Sequence, residues 1–125
     1  MDLEMIMQDL CLLVRVRGEL DHHWAAKLRQ GIDQALEARG AQNLLLNLEG
    51  LTFMDSSGIG VLLGRYKRIS GQGGQMALCR VSPSIVKVLE ISGVPKLIPF
   101  YQSEAEALKK LALPAQVHQF AVAGF

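Results

Sequence analysis

The sequence predicts a single α/β domain: a mixed, mostly parallel sheet with helices mainly on one face. Three observations lead there. Apolar runs of period two take turns along the chain with stretches of helical period, the order that builds parallel sheets. The strand-like runs also alternate internally. Leu12, Val14 and Val16 share one face and Leu13, Arg15 and Arg17 the other, while Asn43 and Asn47 oppose Leu44, Leu46 and Leu48. A doubly wound sheet would make its central strands apolar throughout. Finally, right-handed crossovers between successive neighbours put their helices on the same side. At 125 residues, 50% of them hydrophobic, the chain is long enough to bury a core without disulfides.

Taken in order, Leu3 to Met7 and Leu10 to Gly18 read as a hairpin joined by Gln8-Asp9, a turn without the usual glycine. Gly18-Glu19-Leu20-Asp21-His22-His23 reads as a loop in which Asp21 is placed to cap a helix. That helix carries Trp24, Leu28, Ile32, Ala35 and Leu36 inward and Lys27, Arg29, Asp33 and Glu37 toward water, with Gly40 as its stop. Asn43 to Leu48 is the next strand. An apolar helix to about Ser70 follows, ending in Gly71-Gln72-Gly73-Gly74. Within it, Gly60 and Gly64 lie four apart at a cost of about 1 kcal/mol each relative to alanine, which predicts close backbone approach to the sheet or to a partner. Gln75 to Cys79 is a strand with Met76 and Leu78 inward. Ser82 and Pro83 open a short helix whose inner face is Ile85, Val88, Leu89 and Ser92, and Gly93-Val94-Pro95 breaks it. Leu97 to Tyr101, interrupted by Pro99, belongs at a sheet edge. Ser103 caps a last helix with Ala107, Leu108 and Leu111 as its stripe. Residues 1–113 form the expected domain, and 114–125 have no clear period and read as a tail loosely held or covering an apolar patch.

The stretch Leu51 to Gly64 organises the rest. A buried strand passes through Asp55-Ser56-Ser57-Gly58 into a helix, so two hydroxyls lie at a helix amino end. Free backbone N–H groups and the helix dipole favour an anion there, including a phosphate on serine. The plainer alternative is that Asp55 or Ser56 simply caps the helix.

Bulk properties narrow the function. A formal net charge of +1 without charge runs argues against nucleic acid as a partner. No apolar run has the length of a membrane span, and the acidic opening Met1-Asp2-Leu3-Glu4 is unlike a secretory signal, so the expected compartment is the cytoplasm. Cys11 and Cys79 sit in apolar strand-like runs and read as buried, reduced thiols. No cofactor is expected. A serine hydrolase would require Gly-x-Ser-x-Gly, but Thr52-Phe53-Met54-Asp55 precedes the serines. His22-His23 lacks the spacing of a chelating pair, and Gly71-Gln72-Gly73-Gly74 lacks the lysine of a phosphate loop.

Gly18-Glu19-Leu20-Asp21-His22-His23, Leu46-Asn47-Leu48-Glu49, Phe53 to Gly60 and Leu63-Gly64-Arg65-Tyr66-Lys67 together closely resemble the anti-sigma factor antagonists of the sulfate-transporter-and-antagonist (STAS) fold, most of all the sporulation sigma-F type. The likeness runs from about Leu3 to Leu111. It implies a regulatory protein rather than an enzyme. The unphosphorylated form binds an anti-sigma factor that is also a serine kinase and so frees the sigma factor. Phosphorylation of the second serine, Ser57, switches it off, and a serine phosphatase restores it. The resemblance also implies a docking surface of Asp21, His22, Asp55, Ser56, Ser57, Gly58, Ile59 and Gly60. Small Gly58 and Gly60 would let the kinase approach closely. Membership of another pathway, such as general stress, and a nucleotide-binding STAS module are the alternatives.

Overall fold

A computed structural model describes residues 1–113; the expected tail, 114–125, lies outside the described residues. Strand β1 (Asp2–Gln8) pairs antiparallel with β2 (Cys11–Leu20). Helix α1 (His22–Arg39), β3 (Asn43–Met54), α2 (Ser56–Gly71), β4 (Met76–Cys79), α3 (Pro83–Ile91), a 3-10 turn at Val94–Lys96, β5 (Phe100–Tyr101) and α4 (Glu104–Leu111) follow. The strands lie side by side in chain order, β1-β2-β3-β4-β5, with every pair after the first parallel. The hairpin turns at Asp9, which takes φ 55°. Aspartate tolerates this left-handed conformation better than most residues, so glycine is not needed.

The main core lies on one face of the sheet. Leu12, Val14, Val16, Leu44, Leu46, Leu48, Met76 and Leu78 meet Leu28 and Ile32 of α1, Leu62 and Ile69 of α2, and Ile85 and Leu89 of α3. The second face holds Cys11, Leu13, Leu45, Ala77 and Cys79, covered by Ala107 and Leu111 of α4. Helices α1, α2 and α3 therefore share one side and α4 takes the other, so "mainly on one face" describes the molecule. The face bearing Asn43 and Asn47 is roofed by α4 over the first half of β3. The Asn43 amide donates to the Leu111 carbonyl (3.0 Å), and its oxygen accepts from the Gln75 N–H (2.8 Å). Asn47 donates to Glu104, whose carboxylate also takes two 2.8 Å bonds from the Arg15 guanidinium. Arg15 reaches across to Glu4 of β1 as well (3.2 Å). These bonds hold the Glu104 carboxyl below the usual carboxylate range, the Arg15 bond being the largest cause.

Four expectations need correction. Gly18, Glu19 and Leu20 are strand rather than loop, because β2 continues past two register shifts to pair Leu20 with Met54; His22 and His23 already belong to α1. Asp33 does not face water freely but lies between α1 and α2 with Arg65 and Arg68 of α2 each 3.1 Å away. Ser92 is exposed and donates to the Val88 carbonyl. Of the two approaches expected for Gly60 and Gly64, to the sheet or to a partner, the first does not occur: a Cβ at either would meet nothing within 4 Å.

Candidate functional site

Two strands end together and two helices begin together. Leu20 and Met54 are parallel partners at the carboxyl ends of β2 and β3, and the next residue of each strand is an aspartate that caps a helix. Asp21 accepts from the Trp24 N–H (3.0 Å); Asp55 accepts from the N–H groups of Ser57 (2.9 Å) and Gly58 (3.4 Å). The cap residues have nearly the same backbone, φ −97° and ψ −175° at Asp21, φ −106° and ψ −172° at Asp55. The Asp55 N–H donates to the Leu20 carbonyl (3.3 Å), stitching one cap to the strand that feeds the other. So the starts of α1 and α2 are held in register by backbone pairing, not by mobile loops.

Ser56 is exposed as the first residue of α2, and half-buried Ser57 lies within its first turn. The Ser57 hydroxyl and His22 Nδ1 share a hydrogen bond of 3.2 Å, the donor depending on the imidazole tautomer. Asp21, His22, Asp55, Ser56 and Ser57 thus gather at one end of the sheet, with Ile59 half-buried against the core and Gly60 exposed. Gly58 behaves differently. It is buried, and a Cβ there would come within 2.7 Å of Met54 Cγ and 2.9 Å of Leu20 Cδ2. Its smallness lets the helix start sit directly on the paired strand ends, an internal reason that stands beside the expected room for a kinase.

A shallow groove of about 300 Å³ runs beside the hydroxyl, formed by His22, Ala25, Ala26 and Arg29 of α1 with Ser57, Gly60 and Val61 of α2. The sequence reading had no role for Ala26 or Arg29. The i, i+3, i+7 spacing of His22, Ala25 and Arg29 on one helix face was the available sign. Phe53, 46% exposed beside the cap, is another residue it left without a role. His23 turns away and meets Trp24 edge-on, with ring centroids 5.3 Å apart, while Lys27 Nζ lies 4.6 Å over the same indole. Adjacent histidines with separate partners do not make a chelating pair, and the described residues contain no cluster of metal-ligating side chains. Among the described residues the His22 ring has no carboxylate hydrogen-bonded to it, so the serine–histidine contact lacks the orienting acid of a hydrolytic triad. No helix among the described residues is long and apolar enough to cross a membrane.

Known proteins share this sequence pattern and this fold. An "Anti-sigma F factor antagonist" of Paenibacillus polymyxa is 47% identical over 100 residues, which cover 80% of this chain and 86% of that one. The anti-sigma factor antagonist SpoIIAA in its unphosphorylated form superposes with a TM-score of 0.78 at 31% identity, covering 89% of this chain and 96% of that one. The phosphorylated form of the Bacillus cell fate determinant SpoIIAA superposes with a TM-score of 0.70 at 32% identity, over 87% and 98%. The STAS domain family matches residues 2–107, nearly the whole described structure from the first strand into the last helix, and the chain belongs to that family.

Proposed function

We propose that this chain is an anti-sigma factor antagonist whose switch is phosphorylation of Ser57. In the unphosphorylated state it captures an anti-sigma factor that is also a serine kinase, and the sigma factor is released. The kinase transfers phosphate to Ser57, the phosphorylated form lets go, and a serine phosphatase restores the active form. Asp21, His22, Asp55, Ser56, Ser57, Ile59 and Gly60 make the docking surface, with Gly58 holding its shape from beneath. The chain itself catalyses nothing and works in the cytoplasm. The likeness to the sigma-F antagonist favours sporulation over general stress as its pathway.

One observation carries the reading: Ser57 presents its hydroxyl in a first helical turn, beside a second helix start, in a chain that shares its fold with SpoIIAA in both phosphorylation states. A phosphate adds about 1.5 to 2 negative charges. The amino end of α2 stabilises that charge within the fold, whereas a docked kinase presenting its own nucleotide phosphates repels it. The switch therefore acts at the interface with little change in the fold. Mass spectrometry after incubation with the host's anti-sigma kinase and ATP tests this. Phosphate is expected on Ser57 in the wild type and in Ser56→Ala, and none in Ser57→Ala, which still binds the kinase. Phosphate on Ser56 alone, or at full level in Ser57→Ala, would overturn the assignment.

A further inference from the structure

We propose that His22 is a positioning residue for phosphoryl acceptance, its imidazole holding the Ser57 hydroxyl in the rotamer that the kinase uses. The inference rests on Ser57 being the acceptor and goes beyond His22's place on the docking surface. A serine side chain has three staggered wells, and one in a first helical turn interconverts among them unless something holds its oxygen. Here His22 Nδ1 does so at 3.2 Å, and among the described residues it is the one hydrogen-bond partner of Ser57 Oγ. The neighbouring carboxylates bond backbone through Oδ1, Asp21 to the Trp24 N–H and Asp55 to the N–H groups of Ser57 and Gly58, and among the described residues neither bonds Ser57 Oγ. His23 is turned to Trp24. The frame behind the contact is stiff, because Leu20 pairs with Met54 and the Asp55 N–H bonds the Leu20 carbonyl. The separation of the two side chains is thus set by a sheet.

In the transfer, Ser57 Oγ forms a bond to the γ-phosphorus of ATP. The bond from that phosphorus to the bridging oxygen breaks, ADP leaves with the electron pair, and the hydroxyl proton passes to a base on the kinase. Holding Oγ in one orientation raises the fraction of bound complexes that react, so this part of the effect of His22 belongs in kcat, apart from its docking contact. Atom placement gives the test. The terminal atoms of asparagine stand two bonds beyond Cβ, as Nδ1 does, and can accept or donate as either tautomer would; those of glutamine stand one bond farther.

The experiment is steady-state phosphorylation of wild type, His22→Ala, His22→Gln and His22→Asn by the host's anti-sigma kinase with ATP. His22 is exposed, and thermal melts check that the variants fold. Expected is a roughly tenfold fall in kcat for His22→Ala and His22→Gln, separate from any rise in KM that the loss of a docking residue brings, and recovery of most of the kcat loss in His22→Asn. An unchanged kcat in His22→Ala, a change confined to KM, or a loss in His22→Asn equal to that in His22→Gln would overturn the proposal while leaving Ser57 as the acceptor. A wild type that takes no phosphate on Ser57 would overturn both.

Discussion

Gly58 and Gly60 stand two residues apart on α2 and answer to different demands. Adding a methyl group at Gly58 forces it onto Met54 and Leu20. Overpacking of this kind costs about 1 to 3 kcal/mol, partly offset by alanine's better helix propensity. Gly58→Ala is therefore expected to lower the urea midpoint. Gly60→Ala meets open space and is expected to raise stability by about 0.5 to 1 kcal/mol, the usual gain inside a helix. If Gly60 belongs to the docking surface, the same variant binds the anti-sigma factor more weakly, and calorimetric titration beside the urea curve separates the two effects. Asp21→Ala is expected to cost about 1 kcal/mol as a lost cap and to weaken docking beyond that loss; normal binding by a destabilised variant would leave Asp21 as a cap alone. The thiols are a further residue-scale case. Burial pushes Cys11 up to about 12 and Cys79 up to about 11. At pH 8 a thiol reagent should modify neither at an appreciable rate until the protein unfolds, since the thiolate is the reactive species.

At the scale of elements, β3 is the spine. Leu46 is fully buried in the main core, and Leu46→Ala is expected to cost about 2 to 5 kcal/mol in chemical denaturation. Helix α4 adds polar bonds to its apolar packing on the opposite face. Because the Glu104 carboxyl is depressed in the folded state, its contribution is complete above the ordinary glutamate value of about 4.3 and is lost as pH falls through the lower folded value. Glu104→Gln should be less stable than wild type at pH 7 and should show a shallower loss of stability toward acid, a difference that melts across that range would reveal. The two faces were not equally legible in the sequence. The face under α1, α2 and α3 announces itself through the regular spacing of Leu12, Val14, Leu44 and Leu46. The face under α4 is half polar, because Arg15, Asn43 and Asn47 are satisfied by Glu104 and by backbone groups. Binary patterning cannot tell such residues from wet ones. Leu45, Ala77 and Cys79 were the sign that something covers them. The candidate site was legible as a motif, since Asp-Ser-Ser-Gly marks a helix start from local chemistry alone. The contact between His22 and Ser57 was not, because it depends on the pairing of Leu20 with Met54, which two register shifts in β2 make unreadable from spacing.

For the whole molecule, Ser57→Asp tests whether charge alone works the switch. It should leave the circular dichroism spectrum unchanged and weaken binding to the anti-sigma factor on the order of a hundredfold, the equivalent of about 3 kcal/mol for an unpaired charge at an interface. Normal binding by that variant would mean that the phosphate's extra charge and tetrahedral oxygens are essential. The strand order has a consequence for how the molecule is made. Each strand of β1-β2-β3-β4-β5 pairs with the one synthesised just before it, so a chain leaving the ribosome can assemble its sheet by accretion, without waiting for a distant partner. The turn that carries Ser57 has its paired strand ends and both caps once the first two helices have emerged. The clasp from Arg15 to Glu104 spans 89 residues and closes only after α4 has emerged. A nascent chain whose first 74 residues have emerged should therefore already hold Ser57 beside His22 while its second face is still bare, a stage at which Cys11 reacts with thiol reagents that the folded protein resists.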